Sequence, residues 1–516
     1  MQARPVAEAR EYPYAPAMLD RFDPRLDPLP PAPDRGKLIR RLSRVLPRKA
    51  LIVKAEGMRV FETDGLAAYR GMPAVVTLPG DTEEVRAVLE VCRDLGAAVV
   101  ARGAGTGLSG GALPVPGCVL LGLSRMSRIL DIDPVACLAR VQPGVRNLAV
   151  SEAARPFGLF YAPDPSSQLA CSLGGNVAEN AGGVHCLKYG LTVNNVQGLE
   201  VVTMDGEILR LGGETLDAPG FDLLALLTGS EGLLGIVTEI TVRLTPLPEA
   251  TQVLLAAFPE TRQAGQAVAD IIGAGIIPAG LEMMDKLALT AAEAHTRAGY
   301  PLDAAAILLC ELDGAPADIA CDLERVRGIC ESAGASLARI ARDESERQLF
   351  WAGRKGAFPA MGRIAPDYYC IDGVIPRRAL PEVLDAIERL SREFGLAVAN
   401  VFHAGDGNLH PLILYDAQAP GELERAEALG GAILELCVAK GGSITGEHGV
   451  GREKINQMCA QFAPAELETF AALKRAFDPQ GLLNPGKAIP TLQRCVDHGA
   501  MHVHAATPSF AHLDRF

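Results

Sequence analysis

No stretch of the 516-residue chain approaches the ~18 consecutive apolar residues of a membrane-spanning helix. No basic segment leads into an apolar one at its start, so neither a span nor an export signal is expected. Positive charge is in deficit, with 49 Lys and Arg against 62 Asp and Glu and a formal net charge of −13. Phosphate backbones reward basic surfaces, which argues against broad nucleic-acid binding. Aromatic residues are few, and the one tryptophan, Trp351, reads as a packing residue. The twelve cysteines include no C-x-x-C pair, which excludes the closely spaced ligands of iron–sulfur clusters. In a cytoplasmic chain they read as scattered reduced thiols.

Glycine is in excess: 54 residues, about a tenth of the chain against an average near 7%. The length allows roughly two or three domains. Residues 1–36 hold eight prolines without periodicity and read as an arm, followed by a basic helix through Leu38, Leu42, Val45 and Leu46. From Pro73 strands and helices alternate. Val75, Val76 and Leu78 suit a strand, and Asp81 with Glu84 three residues on suits a helix start. Val85, Val88, Leu89, Cys92 and Leu95 then share one helical face, closed by Gly96. Composition shifts after Pro248, where apolar strands such as Ala305 to Leu309 alternate with charged helices.

Gly105, Gly107 and Gly110 spell G-x-G-x-x-G after a strand. A nicotinamide-binding turn needs a helix next, because the pyrophosphate rests on its N-terminus. Pro114, Pro116 and a strand-like run from Cys118 to Leu123 follow instead, which excludes that reading. A glycine loop without a helix still offers backbone N–H groups that curl around an anion.

Three glycine-rich stretches, RGAGTGLSGG (102–111), DPSSQLACSLGGNVAENAGG (164–183) and GSEGLLGIVTEI (229–240), resemble the flavin-binding domain of the vanillyl-alcohol oxidase, or PCMH-type, family. FWAGRKGAFPAMGRI, NVFHAGDGNLHPLI, GEHGVGREKINQM and FDPQGLLNPGK resemble the FAD-linked subunits of bacterial glycolate oxidases and other FAD-dependent D-2-hydroxyacid dehydrogenases. The likeness runs from about residue 50 to 505. It implies an α+β chain: an arm and short helix (1–50), a PCMH-type two-subdomain FAD-binding domain (51–248), an α+β cap domain for substrate and metal (249–490) and a tail (491–516). It also implies that Arg102, Gly103, Ala104, Gly105, Thr106, Gly107, Ser109 and Gly110 line the pyrophosphate. Pro163, Ser167, Gly174, Gly175, Asn180, Gly183, Glu231, Gly232, Val237 and, in the last motif, Asn484 would border the rest of the FAD. Relatives with covalent flavin carry a His in the first loop or a Cys farther on. Leu108 and Ser109 stand in that loop here, so FAD is expected to be non-covalent.

Asp406-Gly407 between two strand-like runs reads as a two-residue hairpin turn, which would set His403 opposite His410 on one face. Ile444-Thr-Gly-Glu-His-Gly places Glu447 and His448 on a loop. Two His and a carboxylate suit zinc, iron or manganese. In the relatives, residues matching His403, His410 and Glu447 bind a divalent metal, often zinc, and one matching His448 is the general base. Removing a hydroxyl proton calls for such a base. Arg354 matches the residue that holds the substrate carboxylate, for which a guanidinium fork is suited. Where relatives acting on larger 2-hydroxydiacids carry a second cation and an amide, Cys370 and Leu412 stand. A small substrate, glycolate or D-lactate, follows.

The resemblance therefore implies oxidation of glycolate to glyoxylate, with electrons passed to partner subunits or a quinone rather than to NAD, the expected partners being a second flavin-binding subunit and an iron–sulfur subunit. The location would be cytoplasmic, peripheral to the inner membrane through those partners. A stand-alone D-lactate or D-2-hydroxyacid dehydrogenase and a non-catalytic flavin-holding subunit remain alternatives. The tail histidines His498, His502 and His504 form a further candidate metal motif.

Overall fold

In a computed structural model the structure describes residues 29–215, 220–491, 494 and 495. Most of the proline-rich arm and the tail histidines lie outside these. The basic helix spans Arg35–Val45, capped by Asp34, and buries Leu38 and Leu42. The helix at Thr82–Leu95 begins where the Asp81 side chain accepts from the Glu84 N–H and ends at Gly96 with φ 64°. Its buried face is Val85, Val88, Leu89, Val91 and Cys92, and each large aliphatic there contributes roughly 1.5–3 kcal/mol on leaving water.

This helix packs on a four-stranded sheet ordered Leu51–Ile52, Val75–Thr77, Val119–Gly122 and Val99–Arg102, in which the last three are parallel. The glycine loop leaves Arg102 at the sheet's edge and reaches Val119 without any helix, so the Rossmann turn is absent, as the two prolines require. The FDPQGLLNPGK segment returns to the same edge: Val99 N–H donates to Leu482 O and Asn484 N–H to Val99 O.

An antiparallel five-stranded sheet follows, ordered Ile129–Asp133, Leu138–Val141, Ile236–Arg243, Val196–Val202 and Ile208–Gly212. In Ile236–Arg243 alternate residues are buried, the period of a sheet with one covered face. A third sheet has seven strands, ordered Leu337–Ile340, Ala250–Phe258, Ala306–Gly314, Gly280–Asp285, Val398–Phe402, Pro411–Tyr415 and Asp367–Cys370. Helices Thr261–Gly273, Pro316–Ser332 and Leu380–Phe394 pack against it and one another. No described helix is long and apolar enough to cross a membrane.

One cysteine expectation is corrected. Cys459 and Cys495 are joined in a disulfide, with Cα atoms 5.3 Å apart, and ten other cysteines are free. The bridged pair is 36 residues apart in sequence, so no local spacing announces it.

Candidate active site

The two-residue hairpin turn is also corrected. His403 N–H donates to Asn408 O, Gly407 N–H donates to His403 O, and Asn400 faces Pro411. The loop is thus 404–407, and the register is displaced by two residues from that of an Asp406-Gly407 turn. The cause is tertiary: Gly405 N–H is taken by Leu281 O on the next strand, and Gly407 O by Ile375 N–H. Because side chains alternate with period two, an even shift leaves every residue on its face. His403 and His410 become diagonal neighbours, with ring centroids 5.0 Å apart and planes at 89°.

Glu447 completes the group. Its Oε1 lies 2.9 Å from His410 Nε2 and 3.3 Å from His403 Nε2, and the candidate ligand atoms of the three residues all lie within 4.8 Å of one another. The outer ring nitrogens are occupied elsewhere: His403 Nδ1 meets Glu282 Oε1 at 2.8 Å, and His410 Nδ1 faces Ile371 O at 3.4 Å. Acceptors on the far nitrogens orient imidazoles so that Nε2 presents its lone pair inward, the usual preparation for a cation. Glu282 also faces Arg354 Nη2 at 2.5 Å. Burial would raise the Glu282 carboxyl, but the charges of His403 and Arg354 hold it below the usual range. Replacing it, Glu282→Gln, should weaken metal retention roughly 10–100-fold, read as ion content after dialysis against graded chelator.

The loop bearing Glu447 and His448 is held from two sides by buried carboxylates. Asp372 accepts from the Thr445 hydroxyl at 2.6 Å, from the backbone N–H groups of Gly446, Glu447 and His448, and from Lys454 Nζ at 2.9 Å. From the flavin side, Glu231 accepts from Val450 and Gly451 N–H, both at 2.7 Å. Gly449 between them has φ 77°, and a Cβ there would meet Glu179 Oε2 at 2.2 Å, so only glycine fits. Burial pushes the His448 imidazole down to about 4, with Asp372 partly opposing, which leaves the ring neutral at pH 7. His448 Nε2 is 3.8 Å from Glu447 Oε1.

A single cavity of about 490 Å³ joins these residues to the glycine loop. Of the residues expected around FAD, Arg102, Gly103, Ala104, Gly105, Thr106, Gly107, Ser167, Gly174, Gly175, Glu231, Gly232 and Val237 line it. Ser109, Gly110, Pro163, Asn180, Gly183 and Asn484 do not line it. Ser109 O accepts from Arg452 and Glu453 N–H. Gly110 at φ 77° abuts Arg452, and Pro163 O takes the Asn147 amide. Asn180 caps the helix Leu173–Glu179 and accepts from Val193 N–H. Gly183 packs on Asp164. The Asn484 amide donates to Gly111 O and Glu231 O.

The other end of the cavity is bounded by Lys355, Phe358, Pro359, His410, Glu447 and His448. Arg354 does not reach this surface. Its side chain is 2% exposed and its Nη2 pairs with Glu282, while its Nε has no hydrogen-bond partner. At this end of the cavity the lining cation is its neighbour Lys355. Sequence reasoning missed Lys355, Glu282 and Asp372. It also missed Asn176, which lines the cavity with a buried Oδ1 that accepts no hydrogen bond. That orphaned acceptor and the left-handed Gly105, φ 72°, suit a large polar ligand pressed against backbone.

The fold and this cavity define a flavin-linked oxidoreductase. Residues 73–212 match the FAD binding domain and residues 247–488 the C-terminal domain of FAD linked oxidases, and the chain belongs to that family. It is 62% identical over 495 residues to glycolate oxidase subunit GlcD of Escherichia coli strain K12, covering 96% of this chain and 99% of that one. GlcD of Bacillus subtilis strain 168 is 40% identical, covering 84% and 92%. Among solved structures, p-cresol methylhydroxylase with substrate bound superposes with TM-score 0.73 at 19% identity, covering 89% and 98%, which shows the PCMH-type fold.

Proposed function

We propose that the protein oxidises glycolate to glyoxylate with non-covalently held FAD. Two observations support this: one cavity contains both the glycine loop and His448, and 62% identity to a glycolate oxidase subunit extends over almost the whole length. We read residues 51–248 as the flavin-binding part and 249–490 as the cap. FAD, when bound along the glycine wall, supplies the acceptor for the hydride from C2 of the substrate. A divalent ion at His403, His410 and Glu447 would lower the pKa of a nearby hydroxyl.

The chain's own groups do the rest. His448, neutral at pH 7, accepts the hydroxyl proton on Nε2, the ring nitrogen facing Glu447. Asp372 and Glu231 fix the loop that carries it. The substrate carboxylate is matched by two cations of the helix Glu344–Lys355: Lys355 on the cavity wall, and Arg354 behind it, paired with Glu282 through Nη2 and with Nε unpartnered. Where relatives acting on diacids carry anchoring groups, Cys370 and Leu412 pair across adjacent strands and are buried among apolar side chains.

At these two positions a distal carboxylate would meet neither a cation nor an amide. kcat/KM for glycolate should exceed that for D-2-hydroxyglutarate, and the reverse order would refute the small-substrate reading. No cysteine pattern for a cluster exists in the sequence, so the electrons pass from the flavin to partner subunits or to a quinone. The name of the similar protein, a subunit, supports a multi-subunit complex, in which we expect a second flavin-binding chain and an iron–sulfur chain.

A further inference from the structure

Beside the His403, His410 and Glu447 group lies a second set of donors, which shares His410 and His448 with the proposed chemistry and adds a thiol that this chemistry does not use. Cys370, His410 and His448 present ligand atoms that all lie within 4.8 Å of one another. The strand register explains how they meet. Cys370 pairs with Leu412, so its side chain shares a face with His410 two residues earlier. His448 is brought over that face by the loop, its ring stacked on His410 at 4.9 Å with planes 12° apart. Its Nδ1 is buried and has no hydrogen-bond partner, and Cys370 is itself buried.

A thiol and two imidazoles form a softer donor set than two imidazoles and a carboxylate, and soft donors select thiophilic ions. We propose that Cys370, His410 and His448 form an inhibitory site for a thiophilic divalent cation of the zinc and cadmium type, which shares His410 with the His403, His410 and Glu447 set and is therefore filled in competition with it. On binding, the sulfur–hydrogen bond of Cys370 breaks, the proton leaves to solvent and a sulfur–metal bond forms, with no change of oxidation state. A neutral imidazole has one lone pair, which goes either to an ion or to a proton. An ion on His448 therefore prevents it from accepting the substrate's hydroxyl proton. Ion binding stands on the geometry alone. The inhibition rests on His448 being the base.

The test is titration of the FAD-loaded protein with cadmium chloride, following the ultraviolet thiolate-to-cadmium absorption and, anaerobically, the rate of flavin reduction by glycolate. The parent protein should show absorption that saturates at one ion per chain above that of Cys370→Ala. Its reduction rate should fall on the order of 100-fold, the low end of what a general base contributes. Cys370→Ala, checked for FAD content, should reduce its flavin normally and resist cadmium. Cys370→Ser, which keeps the side-chain size and removes the soft donor, serves if the alanine variant does not fold. Equal absorption and equal inhibition in parent and variants would overturn the site. Full absorption with undiminished flavin reduction would leave the site standing and overturn the role of His448.

Discussion

Replacing His448 by alanine is expected to slow flavin reduction by glycolate roughly 10²–10⁴-fold, the range a positioned general base supplies. FAD should remain bound, because the glycine wall that fits it is built from residues 102–107, 174–175 and 231–237, on other segments. The loop itself should also survive the change. Asp372 holds the backbone N–H groups of residues 446–448, not the imidazole. Stopped-flow reduction beside a flavin-to-protein ratio separates these outcomes. A variant that keeps its flavin and reduces it at the parent rate would remove His448 from the chemistry.

The second large effect is expected from Glu447→Gln. The carboxylate oxygen lies within 3.3 Å of both inward-facing imidazole nitrogens, and its charge is what makes the trio attractive to a cation. An amide of the same size keeps the shape and removes the charge. The purified variant should carry no ion where the parent carries one per chain, and its reduction rate should fall roughly 10²–10³-fold, because a Lewis acid contributes several kcal/mol. Elemental analysis and the same stopped-flow assay check both parts. Equal ion content in variant and parent would exclude this trio as the metal site.

Much of this site is legible in the chain because its signals are local. The helix Thr82–Leu95 follows from a capping aspartate, an apolar face and a terminal glycine. The prolines after Gly110 rule out a Rossmann turn without any structure. The shared face of His403 and His410 follows from alternation and survives an error of two residues in register. The displacement has no local signal, since Leu281 O, far away in sequence, takes the Gly405 N–H that a two-residue turn would need.

The supporting residues are invisible for the same physical reason. Glu282 lies 121 residues from His403, whose ring it orients, and Asp372 lies 76 from His448. In sequence each is an acid in a largely apolar strand or turn, and only the sheet order and the loop packing bring them to the histidines. Arg354 stands where the resemblance puts it along the helix Glu344–Lys355, but on the face turned toward Glu282. Lys355, one residue on, takes the cavity wall. A helix turns about 100° per residue, enough to decide which of two adjacent cations meets the ligand.

The most direct test is anaerobic mixing of the purified, FAD-loaded protein with glycolate while the visible flavin absorption is followed. Bleaching to the reduced flavin, with glyoxylate formed in equal amount, is the predicted result. A flavin that stays oxidised with glycolate in an intact, ion-loaded protein would contradict the proposed activity.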